Sequence, residues 1–413
     1  MFEKQLEAFE KFKKLKVGAL FMQMGTGKTR VAIELIDYNK CDLLVYIAPC
    51  SALSNIEKEF IKWGLKTHYI LVGYETISLS DKKYLELLSK ISNKKCFIVA
   101  DESIFIKNDE TKRFNRLCYL RNKCEYALIL NGTPITKTEW DLYNQMYFLS
   151  PLILNMSRVE FQNKFFKKIT YKKANQRKPN TFYKFSEVNA KVLYKLIEPY
   201  IFNAELDFSK NEYVIYNFVP YTDDNEYYEE KESKLKRFME TRSSEVIINM
   251  LTSLSVIASN YGYKNNQVIE YCKGKQMIVY CNYLSEISYI SSRLDCFVIT
   301  SDTPIKQREK IIEEFTNSSK PLIMTLGVGS YSLNLQFCNE IVYSSISFDY
   351  GKLEQSKYRI KRIGQEKEIK YTYFLTDLGI NKLMLENLSR KQTLGELVKE
   401  KIMEGGVEWL KYI

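Results

Sequence analysis

GALFMQMGTGKTRVAIELIDY, from Gly18 to Tyr38, decides the class of this chain. Five apolar residues suited to a buried strand, Gly18–Met22, run into a short turn and then into an amphipathic helical pattern. Glycine in the turn lets the backbone fold so tightly that successive N–H groups point at one anion. The following helix start adds partial positive charge at the same place. Met24, Gly25, Thr26, Gly27, Lys28 and Thr29 are therefore the expected phosphate contacts. Lys28 reaches the β- and γ-phosphates, and the Thr29 hydroxyl ligates Mg2+. Met22 stands where the strict phosphate-loop pattern has its first glycine, but the G-x-G-K-T turn is kept. Further along, Phe97–Ala100 reads as a second buried strand ending in Asp101-Glu102. Adjacent carboxylates at a buried strand end are costly without a task or a partner. Asp101 suits the metal, and Glu102 suits orienting and deprotonating a water. Each segment alone has a bland reading, a glycine-rich turn or a pair of solvated carboxylates; together they point to a nucleotide site.

Outward from that site, short apolar runs recur at Leu43–Ala48 and Ala127–Leu130. They return at Met277–Tyr280, Phe297–Thr300, Leu322–Thr325, Ile341–Ser344 and Lys370–Phe374. Continuous rather than alternating hydrophobicity predicts parallel sheets covered on both faces by helices, an α/β class. The 413 residues exceed one ordinary core. The expected division is 1–150, an ATP-binding lobe; 151–262, a mainly helical insertion with Glu212–Val219 as its one clear strand; and 263–413, a second lobe. The insertion holds a basic-aromatic stretch, KFFKKITYKKANQRKPN, from Lys164 to Asn180. Its Lys167, Lys168, Lys172 and Lys173 are candidate phosphate contacts. Phe165, Phe166 and Tyr171 are candidates for stacking on bases or for anchoring the segment. A solvated helix face is the alternative reading.

Net charge is +11, with 61 Lys and Arg against 50 Asp and Glu, which favours a polyanionic partner without choosing one. Nine cysteines show no CxxC spacing, so a zinc ribbon is not expected and reduced thiols are. His68 is the only histidine, which argues against most histidine-dependent hydrolysis. No apolar run is long enough to span a bilayer and the N-terminus lacks a secretory pattern, so the expected location is cytoplasmic.

Later motifs complete a pattern. Ala48-Pro49 leads into SALSNIEKEFIKW; Gly73-Tyr74-Glu75-Thr76, DESIFIKN (Asp101–Asn108), Leu130-Asn131-Gly132-Thr133-Pro134-Ile135 and Leu333-Asn334-Leu335-Gln336 follow in order. Gln355, Arg359, Arg362 and Gly364-Gln365 share one motif spacing. This succession resembles the Swi/Snf-type ATPases of helicase superfamily two, in a compact bacterial or viral form. The resemblance runs from Gln5 to about Lys391, although Thr26, Asn131 and Ser332 depart from the usual residues. It implies two RecA-like lobes, with Gln5, Gly329 and Gln355 joining the ATP contacts. It also implies that Arg359 and Arg362 are catalytic beside Lys28 and Glu102. Pro49, Ser51, Tyr74, Lys107, Thr133 and Asn334 would meet nucleic acid. The implied activity is ATP-dependent translocation on DNA, duplex or branched, by a monomer. Alternatives are a strand-separating helicase on forked DNA and a nucleotide-switched scaffold with little turnover.

Overall fold

The computed structural model describes all residues except 133, 136–138, 172–179, 206–211, 223, 242, 330–332, 334, 363, 391–392 and 406–407. The chain packs as two units, Met1–Leu206 and Asp207–Ile413.

In the first unit, β1 (Val17–Met22), β2 (Leu43–Ala48), β3 (Tyr69–Gly73), β4 (Cys96–Asp101) and β5 (Tyr126–Asn131) form a parallel sheet. A two-stranded antiparallel ribbon, β6 (Phe166–Tyr171) and β7 (Asn180–Phe185), follows, and β8 (Ile201–Ala204) then returns to pair with β1. The sheet order is β3-β2-β4-β5-β1-β8. Successive strand residues face opposite ways. Ala19, Val45, Ile47 and Ile98 accordingly enter one core, and Leu20, Leu44, Tyr46 and Val99 enter the other. Both faces are buried, so the strands read as unbroken apolar runs. Each fully buried aliphatic side chain contributes about 1.5–3 kcal/mol relative to exposure.

In the second unit, β9 (Glu212–Val219), β10 (Ile278–Cys281), β11 (Phe297–Ile299), β12 (Leu322–Thr325), β13 (Glu340–Tyr343) and β14 (Ile369–Thr376) form another parallel sheet. Its order is β11-β12-β10-β13-β14-β9. Tyr280, Tyr343, Tyr373 and Tyr216 are in register on four neighbouring strands and stack with centroids 5.7, 4.6 and 5.0 Å apart. A buried ion pair stiffens the same unit: Lys264 Nζ lies 3.1 Å from Glu286 Oε1. The Ser344 and Ser345 hydroxyls also donate to this carboxylate, while Lys264 donates to the Ser259 and Ser344 carbonyls.

Two parallel sheets are thus present, as the apolar runs imply, and they agree with the two RecA-like lobes that the resemblance implies. The middle segment differs from its expected form. Residues 151–262 do not pack apart: β8 completes the first sheet and β9 the edge of the second. Four strands, β3, β6, β7 and β8, lie where the residue pattern gave no strand. β8 has only four residues with two buried, too short for a periodic signal, and it exists because β1 offers an edge. No helix among the described residues is long and apolar enough to cross a membrane.

Candidate active site

Parallel strands present their loops at one edge, and β5 lies between β1 and β4. The loops after β1, β4 and β5 therefore meet. In the first, Gly25 and Gly27 both have φ of 82°, a left-handed conformation that glycine adopts without strain. A Cβ on Gly27 would also sit 2.3 Å from Gln5 Nε2. Gln5 is buried against the loop: Nε2 donates to the Thr26 carbonyl at 2.9 Å, and Oε1 accepts from Phe2 N at 3.0 Å. The Thr26 hydroxyl donates to the Gln23 carbonyl at 2.6 Å. Lys28 opens the helix Lys28–Tyr38, and its ammonium donates to the carbonyls of Met22 and Gln23 at 2.8 and 3.3 Å. The Lys28 tip is thereby held over the turn. A Cβ on Gly132, just past β5, would lie 3.8 Å from Lys28 Nζ, so that loop closes on the same spot.

Asp101 ends β4. Its Oδ2 accepts from the Tyr46 phenol at 2.9 Å, and its Oδ1 from Glu102 N at 2.9 Å. Burial and the Asp101 carboxylate raise the pKa of this phenol well above its usual value, and the Thr29 side chain acts on it in the opposite direction. Burial pushes the Asp101 carboxyl above its usual range, while Lys28 and the two hydrogen bonds pull the other way. Oxygen donors from a hydroxyl and a carboxylate, with a cation beside them, fit Mg2+ and phosphate. Glu102 has φ 51° and ψ 55°, an uncommon conformation for a residue with a side chain. That turn carries the chain from strand into the short helical segment Ser103–Ile106.

A buried polar node holds this turn, and it was not anticipated from the residues. Gln145, fully buried on the helix Trp140–Leu149, accepts from Ser103 Oγ at 2.6 Å and from Asn131 Nδ2 at 3.4 Å. Its Nε2 donates to the carbonyls of Pro134 and Asp141 at 2.7 and 2.8 Å. Gln145 thus ties the acidic turn to the loop after β5. Asp141, Asn144 and Gln145 are all buried polar residues on this helix, and nothing in their local sequence singles out Gln145.

The expected nucleic-acid residues are placed unevenly. Pro49 precedes the turn Cys50–Ala52, where Ser51 is partly exposed and Cys50 N donates to Glu75 Oε2 at 3.1 Å. Lys107 is partly exposed, beyond the acidic turn. Tyr74 corrects its expected role: it is fully buried, donates to the Asp101 carbonyl at 2.8 Å and stacks on Phe105. It supports the Asp101 backbone from within the core instead of facing solvent. Lys167 and Lys168 are exposed on β6, whereas Phe165 and Phe166 are buried, which removes them as base-stacking rings. Thr133, Lys172, Lys173 and Asn334 lie outside the described residues. His68 precedes β3, and its carbonyl accepts from Leu44 N at the start of β2, the end of the sheet away from these loops.

In the second unit, Arg359 and Arg362 converge on one backbone oxygen. Arg359 Nη1 and Arg362 Nη2 donate to the Leu333 carbonyl at 3.3 and 3.0 Å. Arg359 is almost wholly buried, Arg362 only partly. Gln365 Nε2 donates to the carbonyls of Gln336 and Cys338 at 2.9 and 2.8 Å. The arginine motif is therefore hydrogen bonded to the backbone of Leu333, Gln336 and Cys338. Gln355 is partly buried on the helix Tyr350–Lys357, and Gly329 ends the short helix Leu326–Gly329.

The SNF2-related domain family matches residues 58–257, and the helicase conserved C-terminal domain matches residues 263–364. The phosphate loop precedes both stretches, so its reading stands on its own geometry. An uncharacterized ATP-dependent helicase of Mycoplasma genitalium is 24% identical, aligned over 94% of this chain and 40% of its own length. Its Mycoplasma pneumoniae counterpart is 22% identical with the same coverage. The chain thus spans about 40% of the length of these curated relatives. The chromatin remodeling factor mit1 of Schizosaccharomyces pombe is 27% identical over 33% of the chain and 12% of its own length. Among solved structures, the Sulfolobus solfataricus SWI2/SNF2 ATPase core in complex with dsDNA aligns over 100% of this chain and 94% of its own, at 20% identity and a TM-score of 0.42. An SNF2-related domain match is thus followed by a helicase C-terminal domain match, one falling mainly on each side of the chain's middle, and over these stretches the chain is similar to superfamily-two ATPases of the Swi/Snf type.

Proposed function

We propose that this chain hydrolyses ATP with Mg2+ and uses the cycle to move along duplex DNA, displacing or remodelling what is bound there. The observation that carries the reading is the meeting of three loops at one sheet edge. The Lys28 turn, the Asp101-Glu102 pair and the Gln145-braced loop after β5 supply a phosphate cradle, an acid pair and a link between them.

In this reading Lys28 and the N–H groups of the glycine turn bind the β- and γ-phosphates. Glu102 takes a proton from the attacking water as its oxygen bonds to the γ-phosphorus and ADP leaves. Thr29 and Asp101 would hold Mg2+, which would supply positive charge against the phosphate oxygens when bound. Arg359 and Arg362 stabilise negative charge developing in the transition state. Since both arginines donate to the Leu333 carbonyl, Leu333 would move with them, which would couple chemistry to the chain segment beside the arginine motif. Backbone phosphates carry no sequence information, so the motor would be sequence-neutral.

ATPase rates with duplex DNA, single-stranded DNA and RNA test the proposal. Duplex should stimulate most, and Glu102→Gln should abolish turnover while nucleotide still binds. Stimulation by RNA alone would overturn the choice of track. Undiminished hydrolysis by the Gln variant would overturn the assigned chemistry.

A further inference from the structure

We propose that the β6–β7 ribbon is an arm that grips the phosphate backbone of duplex DNA, an inference that rests on the DNA-motor reading above. Between Glu160 and Glu187 the chain has eight Lys or Arg and no acidic residue. Folded as a ribbon, this segment sets Lys167 directly opposite Lys184, both exposed and on one face. Like charges facing each other across a strand pair destabilise it. No described residue forms an ion pair with either of them or with Lys168. A polyanion relieves that repulsion. Lys168, paired with Tyr183, points from the opposite face, so cations project on both sides of the ribbon.

The aromatic residues decide between phosphate and base recognition. Phe165 and Phe166 are buried; the Phe166 ring stacks on Trp140 at 5.0 Å and meets Phe185 at 5.6 Å. These rings fasten the root of the ribbon, helped by Ser186 N donating to the Phe165 carbonyl and Asn189 Nδ2 to the Lys164 carbonyl. With them committed to the core, Tyr183 is the exposed ring among the ribbon's described side chains, too little for a stacking platform. What remains is a lysine grip. It gains most on a duplex, which carries one charge per about 1.7 Å and whose major groove, about 12 Å wide, admits a two-stranded ribbon. Trp140 also begins the helix that carries Gln145, so the root of the arm and the brace of the acidic turn share one element.

The test is fluorescence anisotropy of a labelled blunt duplex against the whole chain over a series of salt concentrations. The variants are Lys167→Gln/Lys168→Gln/Lys184→Gln and the matching triple Arg replacement, with melting temperature as the check on folding. If each lysine meets a phosphate, the Gln triple lowers the slope of log K against log salt by about 2–3, near 0.9 per contact, and the Arg triple keeps it. A wild type with a steep slope and a Gln triple with the same slope would overturn the arm and leave the DNA motor standing. A wild type with no salt-dependent affinity for duplex would defeat the motor reading and the arm with it. A slope lost on single strands but kept on duplex would overturn the assignment to duplex.

Discussion

Replacing Gln145 by Met keeps the volume and removes every polar partner. Ser103 Oγ, itself fully buried, loses the acceptor at 2.6 Å, and the Pro134 carbonyl loses the donor at 2.7 Å. The bond to Asp141 matters less, because that carbonyl belongs to the same helix. Orphaning one buried polar group costs about 1–3 kcal/mol. Two such groups, one a hydroxyl able to rotate, put the loss at about 2–4 kcal/mol. For a unit of this size the melting temperature should fall by roughly 4–16 °C. Catalysis should suffer as well. Ser103 follows Glu102, whose left-handed backbone has to be held by its neighbours. Loosening that turn by about 1.4 kcal/mol of transition-state stabilisation lowers kcat tenfold. KM for ATP should change little, since Lys28 and the glycine turn do not contact the amide. Thermal melting and steady-state ATPase assays read both effects. A double-mutant cycle with Ser103→Ala should show non-additivity in kcat. A Met variant that melts with wild type and keeps kcat within about twofold would refute the reasoning.

With Asp101 as the proposed Mg2+ ligand, metal binding should be sensitive to acid. Its folded pKa is raised by burial, so the protonated form persists above the ordinary carboxylate value of 3.8 and the metal competes with that proton. The Mg2+ concentration needed to support nucleotide-analogue binding should rise as pH falls toward that raised pKa, by up to tenfold per unit below it. Without metal, the same group favours the folded state at low pH, and that contribution is lost as pH rises through its folded pKa. A Mg2+ titration independent of pH would contradict this. In the second unit, Lys264→Met strands the buried Glu286 carboxylate and should cost about 3–5 kcal/mol, whereas Lys264→Met/Glu286→Leu should recover much of it. Equal melting of the single and double variants would show the ion pair to be energetically idle.

The residues alone determined the class of this protein and half of its site. The strand–turn–helix at Gly18–Tyr38 announces itself because glycines, a lysine and a threonine have to be adjacent for one turn to hold phosphate. The doubly covered sheets are legible for a similar reason, since burial on both faces leaves no polar alternation in β2, β4 or β12. What depended on distant partners was not legible. β8 is a strand because β1 has an edge to pair with. Tyr74 reads as a motif residue open to a ligand, yet packing turns it inward onto Asp101. Gln145, 14 residues beyond Asn131 and 42 beyond Ser103, becomes the brace of the acidic turn only when the helix Trp140–Leu149 lies across the sheet edge. Local chemistry leaves its mark in neighbouring residues; a hydrogen bond between distant elements leaves none until the chain has folded.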